Sequence, residues 1–258
     1  MKLGGSTITI KDKTFVANQC VIRSLANEIA EAKVSHLVLV HGGGSFGHPL
    51  AKQYAISEGF KNPSQMIGFS KTHDAMTVLN RLVVEALIKR NIPAVGIAPS
   101  SFVVTNSGRI EKMEVNVISK ILDMGFVPVL YGDTVLDTGM GFSILSGDQL
   151  VAKLAIVLGA GKIILGVDVD GLFTADPKSN PSAKLVEHTN LNELKRDCSW
   201  IGQAKAPDVT GGMYGKISEL IPAIEQEARV VIVNATKQGI VRSALRDEKV
   251  RGTIIERE

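Results

Sequence analysis

The sequence predicts an α/β fold, a mostly parallel sheet covered by helices, and three observations carry that prediction. Short β-branched or apolar runs alternate with longer stretches of helical spacing. The short runs are near-continuously apolar, as strands buried on both faces require. Glycine- or acid-rich segments follow several of these runs, at the strand ends where parallel sheets open onto a ligand crevice.

Taken along the chain, Leu3 to Ile10 is expected to form the first strand, and Ala17, Val21, Leu25 and Ile29 then recur every fourth residue on a helix. His36 to Val40 follows as the second strand. Val78, Leu79, Leu82, Val83, Ala86 and Leu87 make a second helical stripe that stops before Pro93, and Ala94 to Ile97 and Val127 to Tyr131 are the next strands. Between Leu136 and Ser146 the sequence reads as a hairpin with Gly139 and Gly141 in its turn, interrupting the parallel pattern. A boundary placed there divides the single domain, residues 1–258, into lobes 1–145 and 146–258. A further helix starts after Gly147-Asp148, carries Leu150, Val151, Leu154, Ala155 and Leu158, and ends near Gly159 to Gly161. Lys162 to Val167 and Arg229 to Val233 complete the strands. No repeat, low-complexity segment or long linker separates the lobes, so they are expected to share one sheet.

Composition narrows the function. A chain of 258 residues, 45% of them hydrophobic, is long enough to bury a large core. Its net charge of +3 comes from 29 basic and 26 acidic residues mixed along the chain, so no dense basic face for nucleic acid is expected. Cys20 and Cys198 have neither metal-ligand spacing nor the density of a disulfide framework, which fits a reducing cytoplasm. The first residues lack a signal-peptide core, and no apolar run approaches the roughly 20 residues that cross a bilayer.

The chemistry is expected in a few segments. Lys2-Leu3-Gly4-Gly5-Ser6 runs a strand into two glycines and a hydroxyl, a geometry that brings backbone N–H groups to phosphate oxygens beside a lysine, although a glycine pair also makes an ordinary turn. His41-Gly42-Gly43-Gly44-Ser45-Phe46-Gly47-His48 is the stronger signal. Three consecutive glycines are entropically costly and imply something close to that backbone, with His48 near enough to bond an anion and His41 simply ending the strand. Ser146-Gly147-Asp148 precedes a helix, and Asp168, Asp170 and Asp176 follow the Lys162 strand, as magnesium or ribose contacts or as turn formers. Asp208-Val209-Thr210-Gly211-Gly212-Met213 leads into a helix with Lys216, a second place friendly to anions and so a hint of two phosphorylated ligands. No segment is read as a Walker loop, as a dinucleotide fingerprint opening a helix, as a nucleophile elbow or as a zinc cluster.

In this order these motifs resemble the amino acid kinase superfamily from end to end. Within it, Gly44-Ser45-Phe46-Gly47-His48-Pro49 and Pro99-Ser100-Ser101-Phe102-Val103-Val104 are similar to the isopentenyl phosphate kinase family. The resemblance implies a three-layer αβα sandwich with an open, mainly parallel central sheet, assembled as a homodimer. It further implies transfer from ATP, with Mg²⁺, to isopentenyl phosphate in a mevalonate-type isoprenoid route. Lys2, Gly4, Gly5 and Ser6 would meet the ATP phosphates, with Lys11 near the transferring group, and Gly44, Asp168, Gly212 and Lys216 would lie on the nucleotide side. Gly43, His48 and Gly147 would hold the acceptor phosphate, while Phe69 and Met76 would wall the tail pocket or serve as core. Lys2, Lys11 and His48 form the implied catalytic set, without metal-ligating side chains. Only Met1 precedes Lys2, so the first strand is expected to be short. The His48 loop is also similar to fosfomycin kinase and the Asp170 to Pro177 segment to uridylate kinase, and the same fold serves non-catalytic nucleotide or oxyanion storage.

Overall fold

Eight strands form one sheet in the order His188–Asn190, Gly252–Glu256, Arg229–Asn234, Lys162–Val167, Lys2–Leu3, Leu39–His41, Val127–Tyr131, Ala94–Gly96. The last six run parallel to one another, and the first two run against them. This computed structural model describes residues 1–175, 177, 180–196 and 212–258. Strands from both sides of residue 145 contribute to the sheet, so no break in it coincides with the hairpin.

Alternation of side chains along each strand splits the core into two layers. Leu39, Val129, Ile164, Val231 and Val233 face the helices Gln19–Ala32, Ser64–Ile88 and Ile240–Leu245. Their neighbours Val40, Leu130, Ile163, Leu165, Val230 and Ile232 face the helices Gly147–Val157 and Gly212–Glu225. Burial on both faces is what the near-continuous apolar runs encode, and the result is a three-layer αβα sandwich.

The Gln19–Ala32 helix begins where Asn18 caps it by accepting from the Val21 N–H, and ends at Lys33 in the left-handed region. Its predicted stripe holds: Leu25 and Ile29 are buried, and Ala17 and Val21 pack partly buried against them. The Ser64–Ile88 helix is far longer than the stripe from Val78 implied. Its first half carries Gly68, where a Cβ would sit 2.3 Å from Tyr54, so the signal there is close packing rather than an apolar stripe.

Several expected strands shift. The first ends at Leu3, and Gly5–Ile8 turns into a short helix, so the β-branched run Thr7 to Ile10 does not extend the sheet. Backbone geometry overrides propensity there: the Gly4 N–H still bonds Gly166 O, but the next residue must rise over the strand end. The second strand is Leu39–His41, with His36 left-handed at φ 54°. Among the described residues, six strands were not anticipated: Val103–Asn106, Arg109–Met113, Leu172–Phe173, Leu185–Val186, His188–Asn190 and Gly252–Glu256.

The expected hairpin forms between Asp133–Asp137 and Gly141–Leu145, but in a separate four-stranded sheet with Val103–Asn106 and Arg109–Met113. Asp137 organises its turn. The carboxylate accepts from the N–H groups of Ser107, Gly108, Gly139 and Met140 and from the Thr105 hydroxyl, at 2.7 to 2.9 Å. Burial opposes its charge, yet these donors hold its carboxyl below the usual carboxylate range.

Candidate active site

The C-terminal ends of the central parallel strands open onto a cleft of about 1020 Å³. That volume lies at the upper end of what one small ligand needs, which leaves room for two. The strand order reverses direction around Lys2–Leu3, the position at which open α/β sheets form such crevices.

Two glycine segments cross at the floor of this cleft. A Cβ on Gly5 would lie 2.2 Å from Gly44 N, and one on Gly42 would lie 2.8 Å from Gly5 N. Gly44 has φ of +47°, and a Cβ there would collide with Thr9 Oγ1 at 2.2 Å. The approach that the triple glycine implied is therefore first an approach of one backbone to the other. Thr9 ties the crossing together: its hydroxyl donates to Gly5 O and accepts from Ser45 N. Gly44–Gln53 is helical, so Gly42, Gly44 and Gly47 do form a Gly-x-Gly-x-x-Gly spacing between a strand and a helix, which corrects the expectation that no such segment opens a helix. The third glycine serves packing, since a Cβ on Gly47 would sit 2.9 Å from Met76 Sδ.

The charged groups gather around that floor. Lys2 is buried, with its ammonium 2.7 Å from Asp148 Oδ1, while Lys216 stands 4.0 Å from the other oxygen of the same carboxylate. Asp148 is itself placed by the helix that starts at Gly147, where Ser146 caps by accepting from the Gln149 N–H. Gly147 lets that helix end approach the strand, because a Cβ there would meet His41 O at 3.2 Å. Lys11 is mostly exposed and pairs with Asp168 at 3.1 Å. His48 lies exposed in the first turns of the Gly44–Gln53 helix and lines the cleft.

Of the residues singled out from the sequence, Lys2, Gly4, Gly5, Ser6, Lys11, Gly43, Gly44 and His48 line this one cleft. So do Met76, Gly147, Asp168, Gly212 and Lys216 from the later part of the chain. Phe69 does not: its ring packs on Phe142 at 5.6 Å, because the helix turns it toward the hairpin sheet. Asp170 also stays outside the lining. It bonds Lys237, Arg251 and Asn234, tying together the ends of three strands, and the hydrogen bond from Lys237 leads in lowering its pKa to about 2. Asp176 and the run Asp208 to Gly211 lie outside the described residues.

Sequence reading passed over Thr9, Lys52 and Asp133, all of which line the cleft, and Asp148 was noted only as part of a motif. Lys52 had a signal, standing four residues after His48 on one helix face. Asp133 had none, since its buried carboxylate is defined by His73, whose Nδ1 lies 3.0 Å from both oxygens across 60 residues. That hydrogen bond raises the His73 pKa.

Comparisons with known proteins place the chain in a family. The profile of the amino acid kinase family matches residues 1–234. The isopentenyl phosphate kinase of Methanothermobacter thermautotrophicus is 40% identical, covering 99% of this chain and 97% of its own length. An Arabidopsis thaliana isopentenyl phosphate kinase is 35% identical over 87% of this chain and 74% of its own. Among solved structures, an isopentenyl phosphate kinase superposes with a TM-score of 0.86 at 38% identity, covering 98% of each chain. Another, described as a substrate complex, gives a TM-score of 0.80 at 29% identity over the same 98% of each. The chain belongs to the amino acid kinase family and, within it, to the isopentenyl phosphate kinases.

Proposed function

We propose that the protein transfers the γ-phosphoryl of ATP to isopentenyl phosphate, forming isopentenyl diphosphate and ADP. The observation that carries this reading is the convergence of Lys2, Lys216 and Lys11 on a cleft floored by two crossing glycine segments, with His48 beside them. The names of the relatives supply the acceptor.

A phosphate monoester already carries a nucleophilic oxyanion near neutral pH, so no side chain has to remove a proton. The difficulty is the repulsion between two polyanions. An acceptor oxygen forms a bond to the γ-phosphorus as the bond from that phosphorus to the β-bridging oxygen breaks, and ADP leaves with the electron pair. Charge spreads over the transferring oxygens in a loose transition state. Lys2, Lys11 and Lys216 stabilise that charge, and the backbone donors of Gly5, Ser6, Gly43 and Gly44 orient the two phosphates, while Gly4, whose N–H is taken by Gly166 O, lets the chain pass close beside them.

Asp148 and Asp168 already face lysines, so the donor set suits a polyphosphate better than a bare metal ion, and Mg²⁺ would ride on the ATP phosphates. Bound there it would supply charge neutralisation. In this reading residues 1–145 hold the acceptor and residues 146–258 the nucleotide. His48 bonds the acceptor phosphate, and Met76 walls the tail pocket. Phosphorus NMR of the reaction tests the chemistry: a diphosphate product without free inorganic phosphate supports transfer. Inorganic phosphate alone would mean hydrolysis and would defeat the reading.

A further inference from the structure

We infer that His41 is a positioning residue that fixes the Gly42–Gly43 peptide and so aims the Gly43 N–H at the acceptor phosphate, an inference resting on the acceptor-side reading of Gly43 above. His41 is wholly buried and ends its strand, stacked on Tyr131 at 5.6 Å between ring centres. Its Nδ1 lies 3.1 Å from Gly42 O, and its Nε2 lies 3.2 Å from Asn80 Nδ2.

These contacts determine the tautomer. The same Asn80 nitrogen is 3.2 Å from Val129 O, a carbonyl that only accepts, so that atom is the amide NH₂ and donates to both neighbours. Nε2 must then accept. Gly42 O accepts as well, so Nδ1 carries the proton and the ring is neutral. Burial, followed by the nearby Lys2 charge, favours the neutral ring, with the Gly42 bond opposing, and its pKa falls to about 4.

A trans peptide sets its C=O and N–H in opposite directions. With the Gly42 carbonyl drawn to the imidazole, the N–H of the same peptide, belonging to Gly43, points away from the buried ring. Gly43 lines the cleft, and among the described residues its N–H has no acceptor. A relay therefore runs from Val129 O through Asn80 and His41 to the glycine loop, and its last donor is the one left for a ligand.

The test compares His41→Phe, which keeps the ring and its stacking but loses the donor, with His41→Asn, whose amide nitrogen can stand where Nδ1 stands. His41→Phe is expected to lower kcat/KM for isopentenyl phosphate about 100-fold, with the ATP KM within about twofold, and His41→Asn to recover to within about fivefold. Both Michaelis constants rising together, or no rescue by Asn, would overturn the inference. Should His41→Phe not fold, nitrogen-15 NMR of the wild-type chain decides. A protonated Nδ1 and a Gly43 amide that shifts on adding inorganic phosphate support the relay, and a protonated Nε2 or an unmoved amide refutes it. Wild-type protein that shifts its Gly43 amide with phosphate but does not phosphorylate isopentenyl phosphate would leave the relay standing and remove the acceptor assignment.

Discussion

Replacing Asp148 with Asn probes how the cleft holds its lysines. The wild-type carboxylate stands 2.7 Å from the Lys2 ammonium and 4.0 Å from that of Lys216, with the Lys2 and Asp148 side chains only 4% and 7% exposed. Asn keeps the shape and one acceptor oxygen but removes the charge. Breaking a buried pair by removing one partner costs about 3–5 kcal/mol, and the retained oxygen puts Asp148→Asn near the low end, about 3 kcal/mol. At about 2–4 °C per kcal/mol for a chain of this size, Tm should fall by about 6–12 °C. Catalysis suffers separately, because Lys2 loses the group that places it. A displacement of about 1 Å is worth about 100-fold in rate, or about 2.7 kcal/mol. Polyphosphate affinity should move the other way, since two lysines are left without their carboxylate. Differential scanning calorimetry, steady-state kinetics and ADP titration calorimetry read the three effects. A variant with unchanged Tm and kcat, or with ADP binding weakened as much as turnover, would refute the argument that Asp148 organises these charges.

Three other perturbations follow from the same geometry. His48→Ala should raise the acceptor KM and lower kcat, by about 10- to 100-fold in kcat/KM, while the ATP KM barely changes; a matched rise in both KM values would contradict its acceptor role. Gly5→Ala should force apart the crossing backbones, since its Cβ would lie 2.2 Å from Gly44 N, and lower kcat by at least about 10-fold even where circular dichroism shows a folded protein. The His73–Asp133 contact should make stability depend on pH. His73 has a raised pKa in the folded state, so its contribution is complete below about pH 6.5 and is lost as pH rises through the folded value. Urea unfolding from pH 6 to 9 should show that decline, and His73→Gln should abolish it while lowering stability by about 1–2 kcal/mol at pH 6, a figure reduced because His73 is one-third exposed.

The architecture was legible because its signal is local. Val127–Tyr131 and Lys162–Val167 match their apolar runs to the residue, since buried parallel strands must be apolar on both faces. Arg109–Met113 was not legible: three of its five residues are charged, two of them adjacent, on an outer strand of the small sheet, and its pairing with Val103–Asn106 contains a register shift. Thr7 to Ile10 misled because β-branched residues suit a strand, while the demand to cross Gly42–Gly44 decides the backbone.

The site divides in the same way. Glycines and lysines beside strand ends announced themselves, whereas Asp133, Asn80 and the bond that orients His41 depend on contacts 39 to 60 residues apart in the chain. His41 shows the difference most clearly: its place at the strand end was readable, but its tautomer depends on an asparagine brought in by the Ser64–Ile88 helix.

The acceptor defines what this cleft is for, and a coupled ADP-release assay with Mg²⁺-ATP tests its identity most directly, comparing isopentenyl phosphate with dimethylallyl phosphate, fosfomycin and UMP on the purified chain. A strong preference for isopentenyl phosphate is the predicted result. Turnover confined to fosfomycin or UMP, or no turnover with any acceptor, would contradict it.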